Sequence, residues 1–238
     1  VLANGEAATG FTKGGSGIIT QLANNTFTGV LTVNEGGLIV RGANTASGIN
    51  INGSQTNLTG AHLPNGGSTS TGAYVQLGSS DASGSLGSGS INLGVGVLLA
   101  IKRNDSFTLN NNTQGAGGLT HGWNGTTTLV SAATAKYQHA GDTTVTAGTL
   151  RLDYSASNTS IIADNSRLVL GGGTLESTST AATNHNEAIR DWALLSGAST
   201  VTRSGSTTGI LQLGGVADAG VAGATVNFTA ASIANSSA

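Results

Sequence analysis

Acid–base chemistry on a polymer such as a polysaccharide needs two or three carboxylates, or an acid beside Arg or Lys, held on one face. Three stretches of this sequence offer such groups. Lys102, Arg103 and Asp105 form one, Asp153 and Asp164 a second, and Glu187, Arg190 and Asp191 a third. With only 8% charged side chains in 238 residues, a working cluster should stand out, yet none joins carboxylates to His at a recognisable spacing. The commoner use of such groups is a solvated turn or a surface ion pair, which adds little stability. The reading is a non-enzymatic chain with no catalytic residue.

Metal and cofactor sites are equally unpromising. His62, His121, His139 and His185 are widely separated, without carboxylate flanks or the i,i+4 spacing of a zinc site. Cysteine is absent, which removes thiolate ligands, disulfides and Cys nucleophiles together. The stretch GGSGIIT from Gly14 has the glycines of a calcium-binding nonapeptide and lacks its Asp. No phosphate-cradling loop or dinucleotide fingerprint appears in a strand–helix context. No metal and no cofactor is therefore expected. Glycan binding usually wants an exposed aromatic platform, and Tyr74, Trp123 and Trp192 are the candidates for contact with surface glycans. Several Asn-x-Ser/Thr triplets occur, among them those at Asn24, Asn57, Asn124 and Asn227, and in a chain this rich in Asn and Thr most arise by chance.

The composition explains why so little chemistry is on offer. Glycine accounts for 38 residues, and Gly, Thr, Ser and Asn together fill close to half the chain, with a single proline at Pro64. A hydrophobic share of 37% and a net charge of −2 speak for a folded chain and against disorder. The same charge offers no basic field for nucleic acid or anionic lipid. The longest apolar run, Val95 to Ile101, contains Gly96 and is far too short for a transmembrane helix. The chain has no methionine and opens on Val1, which reads as a processed product or a fragment of something longer.

Self-comparison shows a repeat. GVLTVNEGGLIV (29–40) aligns with GDTTVTAGTLRL (141–152), and upstream FTKGGSG from Phe11 aligns with LTHGWNG from Leu119. The copies thus occupy 11–40 and 119–152, with a looser insert over 43–82. The same grammar recurs in SINLGVGVLLAI, SRLVLGGGTL, GILQLGG and ATVNFTA: a short β-branched and Leu run, then a Gly corner. One segment departs from it. Over 186–195, an Asn at the N-cap place, Glu187 in a first turn, and Ile189 and Trp192 at helical spacing fit a short helix. A strand and turn with Trp192 covering the flank of the sheet is the alternative.

Short strands between glycine corners build either a sandwich or a solenoid. A sandwich core about 10 Å thick normally takes bulky aromatics, and this chain has 2 Trp, 3 Tyr and 4 Phe. A narrow core of Val, Ile, Leu and Ala fits a single all-β domain over 1–238, a parallel β-helix in which like residues stack from rung to rung. At roughly 20–25 residues per turn the chain makes about ten coils. The inward set is Leu31, Val33, Leu38, Val40, Leu93, Leu109, Val145, Leu150, Leu152, Leu168, Leu170, Leu175, Leu211, Leu213 and Phe228.

The pattern Gly-x-x-Thr-Val-x-x-Gly-x-Leu-x-Leu in GDTTVTAGTLRL, with its looser copy in GVLTVNEGGLIV, resembles the autotransporter-associated β-strand repeat of large bacterial surface proteins. The stretches 87–150 and 197–228 are similar to further segments of such proteins. The resemblance implies a passenger-type parallel β-helix exported across a Gram-negative envelope and exposed on the cell surface or secreted. A repetitive rod without a reactive cluster reads as a scaffold or an adhesin stalk, and the uncapped look of both termini adds end-to-end self-association into fibres. A carbohydrate-binding adhesin or a polysaccharide-degrading β-helix enzyme is the alternative.

Overall fold

The computed structural model describes residues 9–53, 72–180, 184–205, 209–218 and 221–229. All regular structure within them is strand. In chain order these are β1 (Phe11–Lys13), β2 (Ile18–Gln21), β3 (Val30–Val33), β4 (Gly37–Val40), β5 (Gly48–Ile51), β6 (Tyr74–Asp81), β7 (Ser90–Leu93), β8 (Leu98–Arg103), β9 (Ser106–Thr108) and β10 (Thr113–Gly115). They continue with β11 (Gly118–Val130), β12 (Tyr137–His139), β13 (Thr143–Asp153), β14 (Arg167–Leu170), β15 (Thr174–Ser179), β16 (His185–Leu194), β17 (Gly197–Gly205), β18 (Gly209–Asp218) and β19 (Ala224–Thr229).

Every ladder is parallel, and each strand pairs with the one a full turn away. One wall runs β1-β3-β5-β7-β10-β12 and a second runs β2-β4-β6-β8-β11-β13-β14-β16-β18. The far halves of β11 and β13 turn a corner and form a third wall with β9, β15, β17 and β19. Outside the steps from Gly37 to Tyr74 and from Ile49 to Ile91, partnered strand residues lie from 18 apart, as Val30 and Gly48, to 27 apart, as Gly197 and Ala224. The wide step from Ile49 to Ile91 spans the looser insert. The result is a parallel β-solenoid of about eight turns, fewer than the ten expected, because turns lengthen toward the C-terminal end and the steps from Gly37 to Tyr74 and from Ile49 to Ile91 take many more residues than the others. At about 4.8 Å per rung the rod is roughly 40 Å long.

The glycine corners bear out the stacking logic at two positions that need glycine twice over. Gly36 (φ 65°) and Gly148 (φ 60°) are left-handed, and a Cβ on them would stand 2.3 Å from the Gly17 carbonyl oxygen and 2.0 Å from that of Trp123. They are equivalent positions of the sequence repeat but occupy different corners. Gly36 joins the first wall to the second, whereas Gly148 joins the second to the third. The repeat encodes strand, corner, strand, and is indifferent to which corner it builds.

The segment expected as a short helix, 186–195, is strand β16. His185, Glu187 and Ile189 are buried while Asn186 and Arg190 are exposed, the period of two of a strand. The chain then turns a corner at Arg190, so that Trp192 faces inward again beside Leu168 and packs on the core. That break in alternation puts Ile189 and Trp192 three apart on the inner side, a spacing that imitates a helix.

Twelve of the fifteen residues assigned inward are buried, from Leu31 to Leu175. Leu211 and Leu213 are partly buried, and Phe228 is 41% exposed, because among the described residues β18 and β19 have no rung beyond them. Leu150 is fully buried between Thr127 below and Leu175 above. Its replacement by Ala should cost about 2–5 kcal/mol; an unchanged unfolding midpoint in a thermal melt would contradict its inward placement.

Candidate functional site

The three charged clusters meet three different fates. Arg103 ends β8 with its guanidinium turned inward, 8% exposed. Its Nε and Nη2 donate to Asp105 at 2.9 and 2.7 Å, Nη1 donates to the carbonyls of Ser83 and Gly84 at 2.5 and 2.6 Å, and Nη2 donates to that of Ala82 at 2.9 Å. The cation also lies 4.6 Å from the centroid of the Phe107 ring. All donor capacity is spent on tying one corner to the rung beneath. Lys102, next in sequence, faces outward.

Asp153 and Asp164 serve separate turns. One accepts the Ser155 N–H at 2.9 Å and the other the Ser160 hydroxyl at 3.1 Å. The third cluster is split by the alternation of β16. Arg190 and Asp191 stay on the outer surface, where Asp191 accepts from Arg167 at 2.8 Å and Arg190 at 3.1 Å. The Arg167 hydrogen bond leads in holding its carboxyl below the usual range.

Glu187 points inward and is 1% exposed. Its Oε2 accepts the Tyr154 hydroxyl and the Ile161 N–H at 2.7 Å, and its Oε1 accepts the Ile162 N–H at 2.9 Å. Burial pushes its carboxyl up to about 7 against the pull of these donors, and burial together with the nearby carboxylate raises the Tyr154 phenol. The Tyr154 ring stacks on His185 with centroids 3.9 Å apart and planes 8° from parallel, and His185 Nε2 meets Ser177 Oγ at 2.9 Å. Glu187 thus fastens the segment 155–165 of one turn to the strand of the next.

The histidines are interior struts. His139 sits in a file crossing several rungs, and its hydrogens can be assigned. Ser166 Oγ donates to the Gly141 carbonyl at 2.6 Å, so at 3.3 Å it accepts from Thr143. Thr143 then accepts from His139 Nε2–H at 2.9 Å, and Nδ1 accepts the Thr113 hydroxyl at 2.8 Å. His121 donates Nε2–H to the Gly125 carbonyl at 3.1 Å and accepts from Thr127 at 3.0 Å. Both rings are neutral, burial lowering each to about 4. His62 and Asn57 lie outside the described residues. Among the described residues no three His, Cys, Asp or Glu side chains gather as a metal group would require, and no helix is long and apolar enough to cross a membrane.

The aromatic candidates are not brought together. Tyr74 is buried on β6 with its ring over Gly37, where a Cβ would fall 2.2 Å from Cζ. Trp123 is half-buried two rungs on, capped by Lys102 Nζ at 4.8 Å from the ring centroid. Trp192, three rungs further, meets Phe228 edge to face at 6.3 Å. Of the sequon asparagines, Asn24 accepts the Ala43 N–H at 2.8 Å, while Asn124 and Asn227 are exposed.

Sequence reasoning missed the inward turn of Glu187, Arg103 and the histidines. The alternation His185-x-Glu187-x-Ile189 was the available signal, masked by the helix-like spacing that follows.

The fold and these internal clamps define a parallel β-solenoid. No protein-family model, curated protein or solved structure matches the chain.

Proposed function

We propose that the chain is a non-enzymatic structural rod of a secreted or cell-surface protein of Gram-negative type, serving as a scaffold or adhesin stalk. The observation that carries this reading is the use made of its reactive side chains: Arg103, Glu187 and His139 are buried and spent on holding rung to rung, and His121 on bracing the corner of its own strand. Length comes from repetition and endurance from continuous parallel ladders, in which each rung is stabilised by its neighbours. Association end to end into fibres extends the proposal. It is supported by apolar side chains left exposed in the first and last described rungs, Ile18, Ile19 and Leu22 at one end and Ile210, Val216 and Phe228 at the other.

The test is direct. Incubation with a polysaccharide panel should release neither reducing ends nor unsaturated products, and a glycan array should stay blank. Product release would establish the enzyme reading, and array hits lost on Trp123→Ala would establish the glycan-binding one. Negative-stain images showing only dispersed particles at high concentration would remove the fibre component.

A further inference from the structure

The interior changes character along the rod. In the coils of β3 to β8 the inward columns are aliphatic, with Leu31, Ile49 and Ile91 on one wall and Leu38, Val75 and Leu99 on the next. From β10 the same columns turn polar. Thr113 succeeds Ile91, His121 succeeds Ile101, His139 succeeds Gly115, and Thr143 succeeds Leu119. We propose that the coils carrying β10 to β13 form an acid-sensitive joint, which opens on mild acidification while the aliphatic coils before it stay closed.

At Nδ1 the hydrogen bonds offer a second proton on either ring only a Thr hydroxyl, which must turn its own hydrogen away to accept it. His139 Nδ1 faces a Thr113 hydroxyl that donates to it, at the end of a file whose direction is fixed by the Gly141 carbonyl. His121 Nδ1 likewise faces the donor Thr127. No carboxylate is bonded to either ring. Of the charged groups on the strands packed around them, Lys102, Arg151, Asp153 and Arg167 face outward, and so do Lys136 and Asp142 beside them. Arg103, two residues beyond the rung partner of His121, is buried and paired with Asp105.

The neighbouring sections lack this weakness. In the N-terminal coils the buried cation Lys13 is held by three carbonyls. Asp81 is held far below the carboxylate range by the Ser83 hydroxyl, with help from Arg41. Toward the C-terminus Glu187, which accepts from Tyr154, Ile161 and Ile162, gains its proton in the same pH window, and that stabilises its section. Because rungs in a solenoid depend on their neighbours only, one section can open alone.

The folded rings resist protonation down to about 4, whereas an opened ring takes its proton near 6.5. Opening is therefore favoured as pH falls through that interval, by about 30-fold per ring at pH 5. Hydrogen exchange followed by mass spectrometry at pH 7, 6, 5 and 4.5, corrected for the intrinsic rate, tests this on the intact chain. Peptides covering β11 to β13 should lose at least tenfold in protection, beginning between pH 6.5 and 5, while those of β4, β6 and β8 change less than threefold. Uniform loss along the rod, retained protection at β11 to β13, or an onset only below pH 4.5, where carboxylates titrate, would each overturn the proposal.

Discussion

Glu187→Ala is expected to remove at least about 3 kcal/mol of stability, since it strands three buried donors at about 1–3 kcal/mol each. Those donors are the Tyr154 hydroxyl and the Ile161 and Ile162 N–H groups, all inside the coil. Glu187→Gln keeps the length and one acceptor oxygen but turns an NH2 toward groups that also donate, so an intermediate loss is expected. The two variants also separate by pH. Burial holds the Glu187 carboxyl near 7, above its unfolded value of about 4.5, so the folded state keeps a proton the unfolded state gives up. The stabilising contribution is complete below pH 4.5 and disappears as pH rises through 7, an effect of up to about 3 kcal/mol. Urea unfolding at pH 5 and pH 8 should therefore show the gap between wild type and Glu187→Gln narrowing as pH rises. A gap that widens would place an ionised carboxylate in the fold and contradict this account.

Arg103→Ala should cost about 3–5 kcal/mol, since it strips the donor from three corner carbonyls at about 1–3 kcal/mol each as well as from the partly exposed Asp105. Asp105 and the carbonyls of Ala82, Ser83 and Gly84 would lose their common donor at once. Arg103→Lys retains the charge but cannot span carboxylate and carbonyls together, so it should fall between wild type and Ala. A double-mutant cycle with Asp105→Asn should give a coupling of at least about 1 kcal/mol. Additive effects, or an Arg103→Lys variant as stable as wild type, would mean that the side chain is free of the corner and would reopen the reading of Lys102, Arg103 and Asp105 as a site.

The wall of the solenoid was largely legible in the residues. Strands such as VLTV, SINL and RLVL alternate or run apolar between glycines, and a core poor in aromatics leaves room for a thin coil only. Leu150 was readable as inward because its neighbours are Thr149 and Arg151, and Leu168 because Arg167 precedes it. Phe228 was not, since its pattern matches theirs and what differs is that, among the described residues, no rung lies above it. Segment 186–195 misled for a related reason: a corner in mid-strand shifts the alternation, and a window of ten residues cannot tell that shift from the period of a helix.

By itself the sequence determined the class of structure, because glycine spacing and β-branched runs are local properties that constrain each short segment wherever it lies. Register was decided only in three dimensions. Which glycine stands at which corner, and which inward position meets which on the rung below, depends on the number of residues each turn consumes, and that number varies. The polar interior follows from register as well. Thr113, His139, Thr143 and Ser166 are scattered along the chain, and only stacking places their hydroxyls and ring nitrogens within hydrogen-bond reach, where burial makes their pairing decisive.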